Sequence, residues 1–310
     1  MTGQTQTNTR RVESYQTDDV DLLSSRYYAA PIDYVQIGAG SLGAEIHAIA
    51  TSKVEVREAY FQASVLNVVE RPLDRFGIAL GVTGRAQLFG TQLNDSNLAY
   101  TDGHDGIFAR VNAGSGWCNL SIDRQLLEDV AAVHGYAIPS GKAARGLPLP
   151  KRAALLGTLT GIAQSRQGAT LSNEQFEDAV ALLVLRSLNP PVKKYGMKSE
   201  KHWALAHKVI DFIHSNYALP MTLTGLCQLF NVSERTLRYN FKAATGLSLQ
   251  QYLTHYRLHR ARALLQENKV AEVREAAAAC GIPHAGRFSQ YYKAMFKETP
   301  FEALRRRAPR

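Results

Sequence analysis

The stretch MTLTGLCQLFNVSERTLRYNFKAATGLSLQQYL, residues 221–253, decides the fold. The run 223–230 predicts a short helix and NVS a tight turn. Ser233 is placed as an N-cap, its hydroxyl able to accept from a free N–H of the helix that follows. That helix, 234–244, has two faces. Leu237, Phe241 and Ala244 recur at spacings of four and three and should point inward. Arg235, Arg238, Tyr239 and Lys242 share the other side, because residues three and four apart are neighbours on a helix. A short helix, a tight turn and a second helix with a cationic outer stripe make a helix-turn-helix. Its second helix has the size to lie in a major groove and present side chains to base edges.

The arrangement recurs in VAEVREAAAACGIPHAGRFSQYYKAMFKETP, residues 270–300. A helix near 271–279, a turn at CGIPH and a helix near 285–297 are predicted. Phe288, Tyr292, Met295 and Phe296 form the apolar face, with Arg287, Gln290, Tyr291, Ala294 and Lys297 opposite. Between the units, SLQQYLTHYRLHRARALLQEN (248–268) reads as one long helix. Over 248–265 it rises about 27 Å, against roughly 34 Å between successive major-groove faces on one side of B-DNA. A strut of that length lets two reading helices address neighbouring turns.

Charge follows the same division. Residues 199–310 hold 17 Lys+Arg against 8 Asp+Glu, the whole of the +9 excess, while the first 198 residues balance at 19 each. Such asymmetry points to a separate domain that meets a polyanion. The chain has 310 residues, 45% of them hydrophobic, as expected of a soluble protein of two or three domains. No apolar run approaches the ~20 residues of a membrane span. The opening MTGQTQTNTRRVESYQTDD has no apolar core of a secretory signal and reads as a mobile tail. Cys118, Cys227 and Cys280, odd in number and far apart, read as reduced thiols of a cytoplasmic protein.

The front part reads differently. KVEVREAYF (53–61), RFGIALGV (75–82), GIFARV (106–111) and GWCNLSI (116–122) are predicted strands, separated by Gly, Asn and Asp clusters, in an antiparallel sandwich or barrel. Helices are predicted over 123–134, capped by Asp123, and over 151–166 and 173–188. NPPVKKYGMKS (189–199) reads as a linker. Within DYVQIGAGSLGAEIHAIA (33–50), Gly38, Gly40 and Gly43 spell G-x-G-x-x-G. A nicotinamide-dependent enzyme would need a helix after Gly43 to receive the pyrophosphate. The period of AEIHAIA is instead nearer two, so these glycines are read as a bend between strands. His47, His104 and His134 share no metal-ligand spacing.

The residues SERTLRYNFKAATGLSLQQYLTHYRLHRARALL and ACGIPHAGRFSQYYKAMFKETPFEALRR resemble the DNA-binding domain of the AraC/XylS family of bacterial transcription regulators, over 202–307. Ser233, Phe241, Gly246, Tyr252, Arg257, Leu258, Ala261, Leu264, Leu265, Gly281, Phe288, Phe296 and Pro300 carry the match. Departures stand at Ile282, where the family commonly has phenylalanine, at His284-Ala285-Gly286, and at Ala303. The resemblance implies double-stranded DNA as partner, with Arg235, Thr236, Arg238 and Tyr239 near bases in one groove and Arg287 and Gln290 in the next. Lys242, Lys293 and the run 305–307 would meet phosphates, and His284 joins the DNA-facing set. For the front half it implies a cupin-like antiparallel β-barrel with a helical dimerisation segment, so a homodimer that senses a small-molecule effector, contacts RNA polymerase, and uses no cofactor, metal or membrane.

The expected organisation is a tail over 1–30, a sensor and dimerisation domain over 31–188 (β-rich to 122, helical from 123), a linker over 189–199 and a DNA-binding domain over 200–310. One lead bears on the effector. Arg71 and Arg75 give R-x-x-x-R, similar to the motif with which PilZ domains bind cyclic di-GMP, and two arginines can pair phosphates or stack on guanine. Its companion Asp/Asn-x-Ser-x-x-Gly is half present, as Asn94-Asp95-Ser96 with Ala99 in the glycine's place.

Overall fold

The computed structural model describes residues 10–27, 32–69, 74–103, 107–165, 171–189, 194–195, 200–267 and 269–306. Eight strands form one sheet in the order β1 (Arg11–Thr17), β3 (Ala44–Ala50), β4 (Val54–Phe61), β11 (Ser115–Asp123), β6 (Arg75–Thr83), β9 (Asn97–Thr101), β12 (Lys142–Gly146) and β13 (Lys194–Tyr195). Five more run β2 (Asp33–Gln36), β5 (Val65–Val69), β10 (Ile107–Val111), β7 (Ala86–Leu88) and β8 (Thr91–Leu93). Among the described residues, the sheet-rich half is two separately laddered sheets rather than one closed barrel.

The period of two assigns each side chain of the large sheet to one of two cores. Val54 and Val56 of β4, Phe76, Ile78 and Leu80 of β6, and Cys118, Leu120 and Ile122 of β11 face three helices. These are α2 (Arg124–His134), α3 (Leu149–Gln164) and α4 (Asn173–Leu188). Ala59 and Phe61, Ala79, and Trp117 point the other way, into the core between the sheets. With both faces covered, the central strands read as nearly unbroken apolar runs. The helices start where capping is supplied: Asp123 accepts from Leu126 N–H at 3.0 Å, and Ser172 with Gln175 forms a capping box on α4.

One expectation is corrected. The polar opening, expected to be a tail over 1–30, is from Arg11 to Thr17 an edge strand paired along its whole length with β3. Glu13, Tyr15 and Thr17 lean inward on alternate positions, and only Tyr15 of the three is aromatic, which hides the strand from a hydropathy reading. A helix α1 (Val20–Ser25), capped by Asp19, follows it. The less likely alternative for 38–43, a dinucleotide site, gains nothing from the structure. Gly43 leads directly into β3, so no helix N-terminus stands there to hold a pyrophosphate. The glycines instead serve the bend: Gly40 lies at φ +115°, and a Cβ on Gly38 would come within 2.9 Å of the Ser64 amide.

From residue 200 the chain is helical: α5 (Glu200–Asn216), α6 (Leu223–Leu229), α7 (Glu234–Thr245), α8 (Leu249–Gln266), α9 (Val273–Ala279), α10 (Ala285–Phe296) and α11 (Pro300–Arg305). No helix among the described residues is long and apolar enough to cross a membrane. Trp203 of α5 joins the two halves. Its indole lies edge-on to Phe108 of β10, centroids 4.9 Å apart, over Gly90, where any Cβ would overlap the ring. The inter-sheet core therefore runs on without a break through Ala206, Ile210, Leu237, Phe241 and Tyr252. Two polar contacts flank the tryptophan. The Arg110 guanidinium packs against Gly246 at the C-terminal end of α7, where a positive charge suits the helix dipole. His214, stacked on Tyr256 with centroids 4.0 Å apart, faces Asp33 at 3.8 Å.

Two outcomes follow. Removing the Trp203 side chain should leave a cavity at this junction, and Trp203→Ala is expected to cost about 3–5 kcal/mol of stability, read as a lower urea midpoint. Asp21 gives a pH signature: burial, then the nearby Asp19 and Glu267, push its pKa up from 3.8 to about 6 despite Arg260 and Arg262. A folded-state pKa above the unfolded one means that folding loses stability as pH rises through that interval, and the loss persists above it. Asp21→Asn should therefore be more stable than the parent by roughly 1–3 kcal/mol at neutral pH, the difference fading below about pH 4.

Candidate nucleic-acid interface

The first unit is built locally. Thr222 caps α6 through Gly225 N–H at 3.1 Å, and the turn passes Asn231 at φ +49°, a conformation asparagine tolerates. Ser233 caps α7 by accepting from Thr236 N–H at 3.1 Å, and Gly246 ends it in the left-handed region. Leu237, Phe241 and Ala244 are buried, so the other face is turned outward. Arg235, Thr236, Arg238, Tyr239 and Lys242 are all exposed, with Tyr239 at 65%. Arg238 lies 3.6 Å from Glu234, one helical turn back, an exposed pair that contributes little and does not commit the guanidinium. The Thr236 hydroxyl is engaged with Ser233 at 2.8 Å.

The second unit repeats the plan with a different entry. Its first helix begins at Val273, because Glu272 and Glu275 form a capping box ahead of it. Gly281, at φ +69°, packs its backbone against Ala218, where a Cβ would collide with the carbonyl. Phe288, Tyr292, Met295 and Phe296 of α10 are buried, and His284, Arg287, Gln290, Tyr291, Lys293 and Lys297 are exposed. His284 stands at the N-cap and makes no side-chain capping bond, unlike Ser233. Space around Gly286 is open. Of the closing basic run, Arg305 lies over Phe301 and Arg306 pairs with Glu298, while Arg307 is outside the described residues.

Helix α8 joins the units over 18 residues, a rise of about 27 Å. Tyr252, Leu253 and Tyr256 belong to the first unit's core, and Leu258, Ala261 and Leu265 to the second's. Between α8, the 281–284 turn and α10 lies a cleft of about 620 Å³ bordered by Gln250, Thr254, His255, His284, Arg287 and Tyr291, with Ala39 of the sheet-rich half at its edge. Arg287 and His284 thus share a flank with α8. Gln290 and Lys293 do not line the cleft.

Of the arginine pair considered for cyclic di-GMP, Arg71 lies outside the described residues. Arg75 is committed internally. It donates to the Ser121 hydroxyl at 2.7 Å and to the carbonyls of Lys53 at 2.9 Å and Ser121 at 3.2 Å. Burial lowers its pKa. Nothing here favours a cyclic dinucleotide. Sequence reasoning missed the residues that join the halves, among them Trp203, Arg110, His259 and Arg262. The available signal was a tryptophan just after the expected linker, with a glycine in the unremarked stretch FGT (89–91).

Comparison with known proteins bears on this geometry. Residues 226–306 match a family described as a helix-turn-helix domain. The chain is 28% identical over 137 residues to the XylDLEGF operon transcriptional activator 2 of Pseudomonas putida, covering 44% of this chain and 86% of that protein. It is 28% identical over 191 residues to the transcriptional activator RhaS of Pectobacterium atrosepticum, covering 59% and 65%, so that the match falls just short of two thirds of that relative's length. A solved chain of a probable AraC family transcriptional regulator from Rhodopseudomonas palustris is 31% identical, covering 34% of this chain and 99% of that one, with a TM-score of 0.32. With two helix-turn-helix units set on one long helix and relatives of this kind, the chain belongs to the AraC/XylS family of transcription regulators.

Proposed function

We propose that the chain is a cytoplasmic, dimeric transcription activator that grips duplex DNA through α7 and α10 and is controlled by a small effector. One observation carries the DNA reading: two units of the same build each bury the apolar face of their second helix and expose its cationic face. Arg235, Arg238 and Tyr239, with Thr236 beside them, are assigned to base edges in one groove, and Arg287 and Gln290 to the next. Lys242, Lys293, His284 and the closing basic run are assigned to phosphates. The named relatives are activators, which supports the same sign here and a contact with RNA polymerase.

The sheet-rich half is proposed as the sensor. Between its sheets is a cavity of about 30 Å³ lined in part by Tyr27, Ile32, Thr101, Trp117 and Asn119. Trp117 Nε1 and Asn119 Oδ1 are buried without a hydrogen-bond partner among the described residues. Unsatisfied buried groups are costly, and a space of this size admits only one or two waters, so an effector bonding to them would have to part the sheets. An apolar groove of α3 and α4 (Gly157, Gly161, Phe176, Val180 and Leu183) supports pairing with a second copy, as in a homodimer.

The test is equilibrium binding to genomic fragments selected by the parent protein. Arg238→Ala is expected to lose about 1–3 kcal/mol on the selected site and to relax preference at one base pair. Lys242→Ala should weaken all sequences alike and reduce the salt slope by about one. Binding that ignores salt, or an Arg238→Ala protein indistinguishable from the parent, contradicts the reading.

A further inference from the structure

The glycine loop 38–41 has a partner other than a nucleotide. Gly40 N–H donates to the Met295 carbonyl at 3.1 Å. Met295 lies in the last turn of α10, whose final carbonyls have no partner within the helix. The sheet-rich half thus supplies a donor to the C-terminal end of the second recognition helix. The loop is held in shape for this. Gln36, buried at the end of β2, donates from Nε2 to the carbonyls of Gly38 at 2.7 Å and Gly40 at 2.8 Å. Gly40 adopts φ +115°, which side chains resist.

Further polar contacts surround this one. The buried His259 of α8 faces the Gln36 carbonyl across 3.2 Å, and burial pushes its pKa down to about 3, so it donates from a neutral ring. Arg262 donates to the Asp18 carbonyl at 2.9 Å and pairs with Glu298, just beyond α10, at 3.2 Å. Asp18 in turn accepts from Gly43 N–H at 2.8 Å. The first unit is held otherwise. Its core of Leu226, Leu237 and Phe241 is continuous with the inter-sheet core through Trp203, while the second unit has a core of its own around Leu258, Phe288 and Tyr292.

We propose that loop 38–41 is a docking surface for the C-terminal end of α10, a polar latch that sets the posture of the second recognition helix while apolar packing fixes the first. Polar contacts exchange with water at small net cost, whereas buried apolar surface does not, so the latch is the joint that opens. Its position ties it to the inter-sheet cavity. Ile32 lines that cavity, Tyr34 is buried in the same core, and Gln36 grips the loop, all on or beside the four-residue strand β2. A change in the cavity reaches Gly40 within this one segment. The inference goes beyond the DNA-binding reading and does not depend on it.

The test measures distances between spin labels in the full chain with Cys227→Ser. One pair joins Val133→Cys to Arg274→Cys in the second unit, and the other joins Val133→Cys to Leu229→Cys in the first, all at exposed positions. Gln36→Glu removes both donors to the loop. Gly40→Ala strains the loop backbone while leaving Gln36 in place, and the added methyl meets nothing within 4 Å. In both variants the distance distribution to the second unit should roughly double in width, as for units joined by a small polar interface, with that to the first unchanged. A second-unit distribution as narrow as the parent's in either variant, or equal broadening of both pairs, overturns the latch. The measurement is made on free protein, so its outcome is separate from whether the chain binds DNA.

Discussion

The insertion of Trp203 into the small sheet is the constraint on which the rest depends. A single indole, admitted by a glycine and flanked by Phe108, turns what would be two cores into one that runs from the sheets to α7. Arg110 at the C-terminal end of α7 and the facing of His214 and Asp33 then fix the orientation that the apolar contact alone leaves free. The first helix-turn-helix is accordingly part of the packing of the sheet-rich half. The second is built around its own aromatic cluster and meets the sheet-rich half through hydrogen bonds. Under the proposed latch, α7 is placed by apolar packing and α10 by a polar joint.

Much of the architecture was legible in the sequence because it rests on local rules. Ser233 and Asp123 announce helix starts by their side-chain chemistry. Leu237, Phe241 and Ala244, like Phe288, Tyr292 and Met295, repeat with the helical period, so their burial and the exposure of the arginines opposite could be expected. Strands β4, β6, β10 and β11 were visible as apolar runs between turn residues.

What escaped depends on partners distant in sequence. β1 is polar and becomes a strand only because β3 offers it an edge. The two-sheet arrangement follows from pairing order, which alternation does not encode. Lys194 and Tyr195, read as linker, add a short strand to β12. The meeting of Gly90 with Trp203, or of Gly40 with Met295, joins residues more than a hundred positions apart. The G-x-G-x-x-G motif shows the difference in small: its glycines were rightly read as a bend, but their partner on α10 could be found only in three dimensions.

The most direct measurement is hydroxyl-radical footprinting of the full chain on a duplex it has selected from genomic DNA. Two helices joined by one continuous helix are expected to protect two patches about one helical turn, roughly 10 base pairs, apart on the same face of the duplex for each bound chain. A single patch, or protection distributed around all faces, would contradict the account.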